Sequence, residues 1–393
     1  MVAVDELSFL VIVGIAALAG LTTTLLAPRV AAPVVVVELA LGIVVGPQVL
    51  DLAQLDDFTR FLGSLGLGML FFFAGYEIDF ARIRGRPLAL AGLGWALSLA
   101  LAYAVGGVLA LAGVVLSLLY TGSALATTAI GTLIPILRDA GELRTRFAPY
   151  LLAAGALGEF GPILLITLVL AGSQPLHEAA ILTLFAAAAL ATGVFAVRGA
   201  TRGWPLLERA METSSQLAVR LALALVFGLV ALASELGLEL LLGGFVAGLI
   251  VRQSLGEREA GGFESKLAAV GYGLLIPFFF VTSGMAFDGE ALTSSAPALL
   301  ELPLFLALFL VVRGVPALLL YRRELPALRD RAALGLYCAT ELPLVVAITT
   351  LAVEQGDMRA STAAALVGAS MVSTVVFPLV ALALRRPARA AAG

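Results

Sequence analysis

Glu159 stands near the middle of an apolar run that extends from Phe147 to about Gly172. A carboxylate at a bilayer midplane costs roughly 2.5–3.5 kcal/mol on insertion scales. Such a group is retained to bind an ion, to carry a proton or to pair with a cation. Its surroundings, Gly155-Ala-Leu-Gly158-Glu159-Phe-Gly161-Pro162, supply small residues that let neighbouring helices come close. A carboxyl in that setting can hold a proton or a monovalent metal ion, and the two states exclude each other. That competition is the minimum machinery for exchange, and it makes Glu159 the candidate ion- and proton-binding group.

Two further segments carry polar groups inside apolar runs: Ser123-Ala-Leu-Ala-Thr127-Thr128-Ala-Ile-Gly131-Thr-Leu-Ile-Pro135 and Leu336-Tyr-Cys-Ala-Thr340-Glu341-Leu-Pro343. Proline removes a backbone donor, and threonine hydroxyls re-satisfy the backbone groups that a break sets free. Both segments are therefore read as interrupted helices. Two such breaks would bring half-helix ends and exposed carbonyls to a midplane cation site. Thr127 and Thr128 are expected to complete the shell of the cation at Glu159.

Arg313 is the basic residue that falls well inside a span. Arginine stays protonated and makes a poor proton carrier. Its expected work is electrostatic, either neutralising half-helix C-termini or pairing with Glu341 or Glu159. Glu341, beside Thr340, either offsets the positive half-helix N-termini or acts as a second ligand; both residues are assigned a supporting electrostatic role. Glu38 and Glu77 also lie within spans. A structural role is expected for Glu38, and a solvated ion pair with Arg82 and Arg84 for Glu77.

The elements that must position these groups are membrane helices. Hydrophobic residues make up 61% of the 393-residue chain and charged ones 13%, and apolar runs near twenty residues recur along it. The pattern predicts an all-α polytopic membrane protein with about 13 transmembrane helices. Approximate limits are 8–27, 31–49, 58–80, 88–112, 114–137, 147–172, 178–197, 214–235, 238–252, 266–287, 296–320, 332–353 and 361–384. The interrupted helices are spans five and twelve, and the ninth span is short for a full crossing. Most of the 24 basic residues, among them Arg138, Arg144, Arg198, Arg252 and Arg322, fall in loops that follow odd-numbered spans. The positive-inside rule then places the N-terminus outside and the C-terminus in the cytoplasm.

Internal similarities share one offset of seven spans. Gly66-Leu-Gly-Met-Leu-Phe-Phe-Phe resembles Gly271-Tyr-Gly-Leu-Leu-Ile-Pro-Phe-Phe-Phe, with Asp79 and Asp288 beyond each; Gly42 and Gly46 match Gly244 and Gly248; Ala126-Thr127 matches Ala339-Thr340. An odd offset makes equivalent helices antiparallel. The predicted organisation is a first six-helix repeat over 1–175, a linker helix and cytoplasmic loop over 176–212, and a second, inverted repeat over 213–393. Inverted repeats are a frequent property of secondary transporters.

Other chemistry finds little material. Cys338 is the single cysteine and His177 the single histidine, which argues against a disulfide, a cysteine metal cluster, zinc and haem. No cofactor is expected beyond the transported H⁺ and Na⁺ or K⁺, and no nucleic-acid partner. Asp5 and Glu6 replace the basic start of a cleavable signal peptide, so none is expected. The short stretch after the last apolar run gives no expectation of a nucleotide-sensing tail.

Pro33 through Pro47, Phe71-Phe-Phe-Ala-Gly-Tyr-Glu-Ile-Asp79, Ser123 through Pro135, and Phe278-Phe-Phe-Val-Thr-Ser-Gly284-Met-Ala-Phe-Asp288 together resemble the monovalent cation:proton antiporter superfamily, in particular its sodium/proton and potassium/proton exchangers. The resemblance implies crossed broken helices beside a carboxylate, a place that Glu159 occupies, and a buried Lys or Arg where Arg313 falls. It also implies a core moving against a scaffold of spans 1, 2, 8 and 9 that forms a homodimer interface in the inner membrane. Electrogenic members carry two adjacent Asp residues where this chain has Gly158-Glu159, and Arg313 cannot titrate as a Lys would. The departures imply electroneutral exchange of one cation for one proton. A sodium-coupled symporter of an organic anion, or a gated cation pathway, is the alternative on the same fold. An intramembrane enzyme would need paired aspartates, a Ser/His dyad or a His-rich motif within spans, and the sequence has none.

Overall fold

The computed structural model describes residues 5–26, 34–78, 83–165, 180–194, 215–236, 238, 240–254, 260–293 and 296–385. Asp79, Arg82, His177, Arg198 and the proposed linker boundaries at 175 and 212 lie outside these residues. Among the described residues every regular element is a helix, as expected of a chain whose solvent offers the backbone no hydrogen-bond partner. In chain order these are α1 (Glu6–Leu26), α2 (Val34–Val45), α3 (Asp57–Tyr76), α4 (Arg86–Leu111), α5 (Leu118–Leu125), α6 (Ile130–Asp139) and α7 (Ala148–Leu165). There follow α8 (Ala180–Val194), α9 (Leu217–Glu235), α10 (Leu240–Ser254), α11 (Gly262–Met285), α12 (Ala296–Leu320), α13 (Leu328–Cys338), α14 (Pro343–Glu354) and α15 (Ala360–Arg385). Among the described residues, eight stretches are helical, long and apolar enough to cross a membrane, and shorter apolar helices stand between them.

Local sequence explains several ends. Asp56 caps α3 in a reciprocal box, accepting the Thr59 amide at 2.7 Å while its own amide donates to Thr59 Oγ1 at 3.1 Å. Pro87 stands in the first turn of α4, where a missing N–H costs nothing. Two π turns, Gly271–Leu275 in α11 and Leu310–Gly314 in α12, each end two residues before a proline, Pro277 and Pro316. The prolines cannot donate to the preceding turn, and the wider i→i+5 turn absorbs the mismatch. Arg313 sits in the second of these turns.

The chain divides into two compact units, each drawing on both halves of the sequence. The first comprises Met1–Leu18, Glu38–Asp79 and Thr167–Met285. It therefore includes α3, α9, α10 and α11 and the part of α2 from Glu38 onward. Within it α3 packs on α10 and α11. The glycine pairs make these approaches close: a Cβ on Gly42 or Gly46 would strike the backbone of Val281 or Met285, and one on Gly244 or Gly248 the backbone of Gly68 or Phe72.

The second unit comprises Ala19–Val37, Phe80–Ile166 and Ala286–Gly393, and it holds both interrupted helices. Here α4 packs on α5 and α7, and α15 packs on α12, α13 and α14. All six candidate site residues belong to this unit.

Candidate functional site

The first interruption separates α5 from α6 at residues 126–129, and the second separates α13 from α14 at 339–342. The breaks touch: the Ala129 amide donates to the Thr340 carbonyl at 2.8 Å. Next to it the Thr128 amide donates to the Gly158 carbonyl at 3.0 Å. That carbonyl is free because Pro162, four residues on, has no N–H to offer it. Thr hydroxyls bond to other carbonyls nearby, Thr127 to Ala124 at 3.0 Å and Thr340 to Leu336 at 3.0 Å. The crossing is thus built from backbone that each proline or break leaves unpaired.

Four half-helix ends meet here, two positive N-termini and two negative C-termini, and the charged side chains sort accordingly. Glu159, 1% exposed, lies at the N-terminus of α6, where its Oε2 accepts the Gly131 amide at 3.3 Å and the Ile130 amide also faces it. Glu341, fully buried, precedes α14, whose first position is Pro343. Arg313 reaches the C-terminus of α13, its Nε donating to the Cys338 carbonyl at 3.3 Å. Trp95 Nε1 donates to Ala126 O at 3.3 Å at the end of α5.

Arg313 spends its donors on neutral partners. Nε and Nη2 reach Thr128 Oγ1 at 3.1 and 2.7 Å, Nη1 reaches Ser98 Oγ at 3.1 Å, and Nη2 also reaches the Ala154 carbonyl at 3.4 Å. Among the described residues no ion pair joins it to Glu159 or Glu341. Of the two tasks the sequence left open, capping a half-helix C-terminus is the one the geometry displays. Thr128 Oγ1 accepts twice from Arg313 and donates to Cys338 O at 2.5 Å. In this conformation both its lone pairs face Arg313, so it seats the arginine.

Thr127 differs. Its hydroxyl lies 3.0 Å from Glu341 Oε2. Glu341 Oε1 has no hydrogen-bond partner among the described residues. Thr340 contributes its carbonyl to the crossing, while its hydroxyl is turned back into α13. Trp95 and Ser98, one turn apart on α4, were not foreseen from sequence. The only available signal was a polar atom at i and i+3 in an otherwise apolar span. Glu38 is 3% exposed and belongs to the first unit.

A family described as "Sodium/hydrogen exchanger, transmembrane" matches residues 13–382. YjbQ of Bacillus subtilis (strain 168), named for Na(+)/H(+) antiport, is 26% identical over 372 residues; the match takes in 89% of this chain and 59% of that relative. The chain thus spans about three fifths of its length. The Na(+)/H(+)-K(+) antiporter GerN of Bacillus cereus is 26% identical over 284 residues, 67% of this chain and 68% of GerN. The sodium proton antiporter MjNhaP1 from Methanocaldococcus jannaschii, solved at pH 8, superposes with a TM-score of 0.61 at 17% identity, covering 95% of this chain and 94% of that one, which is a likeness of fold.

Proposed function

The chain belongs to the transmembrane sodium/hydrogen exchanger family, and from that premise we propose that it exchanges a monovalent cation, Na⁺ or K⁺, for H⁺ across the membrane. The observation that carries the reading is Glu159, a buried carboxylate at the positive end of an interrupted helix. The α6 amides stabilise its charge without enclosing both oxygens, so a proton and a cation can alternate on it.

Stoichiometry follows from counting charge at the crossing. The four half-helix ends cancel in pairs, and Arg313 keeps its charge throughout. Replacing a proton on Glu159 by one monovalent cation leaves the net charge unchanged, which favours electroneutral one-for-one exchange. No second titratable group stands beside Glu159, because position 158 is glycine and the buried cation is arginine. In this reading Thr128 is the seat of Arg313, and Thr127 stands beside Glu341.

The inverted arrangement of 1–175 and 213–393 about a linker at 176–212 is part of the proposal. The matched glycine packing of α2 on α11 and of α10 on α3 supports it. An inner-membrane location, an external N-terminus, a cytoplasmic C-terminus and a homodimer are proposed with it, the orientation from the arginine-rich loops.

The test is proton flux in proteoliposomes holding an internal pH dye, started by external Na⁺, K⁺ or Li⁺, with and without a membrane-potential clamp. Cation-dependent flux that ignores the clamp and vanishes in Glu159→Gln is expected. Wild-type rates in Glu159→Gln or Glu159→Ala would sink the site. Flux only with a sodium-driven organic solute would turn the reading to symport.

A further inference from the structure

Glu341 is held more firmly than a residue that merely balances charge needs to be. Its amide donates to Ser373 Oγ at 3.0 Å, and its carbonyl accepts from Ser373 Oγ at 3.2 Å and Thr374 Oγ1 at 3.1 Å. Both partners lie on α15, so the backbone at the break of the second interrupted helix is clamped from one side. The side chain is aimed the other way, with Oε2 3.0 Å from Thr127 Oγ1 at the break of the first. Its Oε1, fully buried, has no hydrogen-bond partner among the described residues.

A buried carboxyl oxygen left unpaired is destabilising. A cation that comes and goes would supply the missing partner. Among the described residues Arg313 makes no hydrogen bond to this oxygen; its bonds go to Thr128, Ser98 and two carbonyls. Thr127 matches this requirement. Its single proton goes to Ala124 O or to Glu341 Oε2, and either choice leaves a hydroxyl lone pair for a further positive partner. Hard oxygen donors of this kind, a carboxylate beside a hydroxyl, suit an alkali cation.

We propose that Glu341 Oε1 and Thr127 Oγ1 form a second coordination station for the transported monovalent cation, across the Ala129–Thr340 contact from Glu159. The inference rests on the antiport reading. One cation occupies the two carboxylates in turn and one proton is released in its place, so one-for-one exchange is preserved.

The experiment titrates Na⁺, K⁺ and Li⁺ into proteoliposomes of the full chain, wild type beside Glu341→Gln, Glu341→Asp, Thr127→Val, Thr127→Ser and Glu159→Gln. Melting temperature of each purified variant serves as the structural control. Expected is a rise of about tenfold or more in the half-saturating cation concentration for Glu341→Gln and Thr127→Val, as loss of a charged or hydroxyl ligand implies. Thr127→Ser should restore most of it, and the ranking of the three cations should change in Glu341→Asp. Wild-type half-saturation and ranking in Glu341→Gln would overturn the proposal. Should that variant not fold, wild-type half-saturation in Thr127→Val would overturn it equally. A wild-type protein without cation-dependent flux would remove the antiport reading and this station with it, whereas a dead Glu159→Gln beside an unaffected Glu341→Gln removes the station alone.

Discussion

Pro162 lies one helical turn beyond Gly158, and the carbonyl it leaves without a donor is the one that accepts the Thr128 amide at 3.0 Å. The defect in α7 and the break between α5 and α6 complete each other. Pro162→Ala returns an N–H that competes for this carbonyl. The helix itself should gain stability, while the crossing loses a buried tether worth about 1 kcal/mol, or roughly fivefold in an equilibrium. Slower exchange in a protein that melts no lower than wild type is expected. A wild-type rate would separate the tether from transport.

Gly158 is small for a reason that bears on stoichiometry. A Cβ there would collide with Arg313 Nη2 and approach Thr128 Oγ1 to 2.5 Å and Thr128 Cβ to 2.8 Å. A second carboxylate beside Glu159 is therefore excluded sterically by the group that seats the arginine. Gly158→Asp should give an inactive protein, or one with much reduced yield, in place of an electrogenic exchanger. Flux that became sensitive to membrane potential in this variant would show that the arginine can withdraw.

Arg313 serves four acceptors from one planar fork: Thr128, Ser98, Cys338 O and Ala154 O. Lysine keeps the charge but cannot reach them together. Arg313→Lys should lower exchange by about tenfold or more, since at least one buried bond to a charged donor is lost. Ser98→Ala, removing one acceptor, should cost less. Equal rates for wild type and Arg313→Lys would mean that charge alone matters, and would weaken the role given to Thr128.

Much of this site could be read in the chain before its geometry was known, and the reasons differ by residue. Glu159 announced itself because an unexplained charge in an apolar run is expensive. The two breaks were visible because Thr-Thr-x-x-Gly and Thr-Glu-x-Pro are poor helix interiors. The division of labour between adjacent threonines was not visible. Thr127 and Thr128 have the same chemistry, and only the direction each side chain takes out of the break separates a partner of Glu341 from a seat for Arg313. Trp95 and Ser98 were hidden for a related reason. Their polar atoms matter through partners more than twenty residues away, which periodicity along α4 does not encode. The π turn under Arg313 likewise depends on how Pro316 is accommodated, a choice the residues alone leave between a kink and a widened turn.

The exposed Arg86, at the first position of α4, donates to Glu324 in the loop after α12 at 2.7 Å. That hydrogen bond, aided by the guanidinium charge, holds the Glu324 carboxyl below its ordinary value near 4.5. A depressed carboxylate contributes stability at pH above the ordinary value and loses it as pH falls through the lowered one. Arg86→Gln should therefore melt slightly lower than wild type at neutral pH, by no more than about 1 kcal/mol for so exposed a donor. The gap should close in acid. Melting curves of the two proteins at several pH values check it, and a gap that widened on acidification would contradict the assignment.

Arg385 gathers the ends of both interrupted helices. Its Nε meets Glu142 Oε2 at 2.8 Å, just after α6, and its Nη1 meets Asp330 Oδ1 at 2.9 Å in the first turn of α13. The guanidinium also lies 3.9 Å from the centre of the Phe147 ring. These side chains are largely buried, at 11% exposure for Arg385 and 13% for Glu142, so their pairing is worth more than a surface bridge and less than a fully buried one, roughly 1–3 kcal/mol. Arg385→Gln should lower the melting temperature and raise the half-saturating cation concentration together, because the half-helices that carry Glu159's amides and Thr340 are no longer tied at that end. Arg385→Lys keeps one ion pair at most and should fall between. A Gln variant that melts lower yet retains wild-type cation affinity would confine Arg385 to stability, and the crossing would then hold its own geometry through the Ala129–Thr340 and Thr128–Gly158 bonds alone.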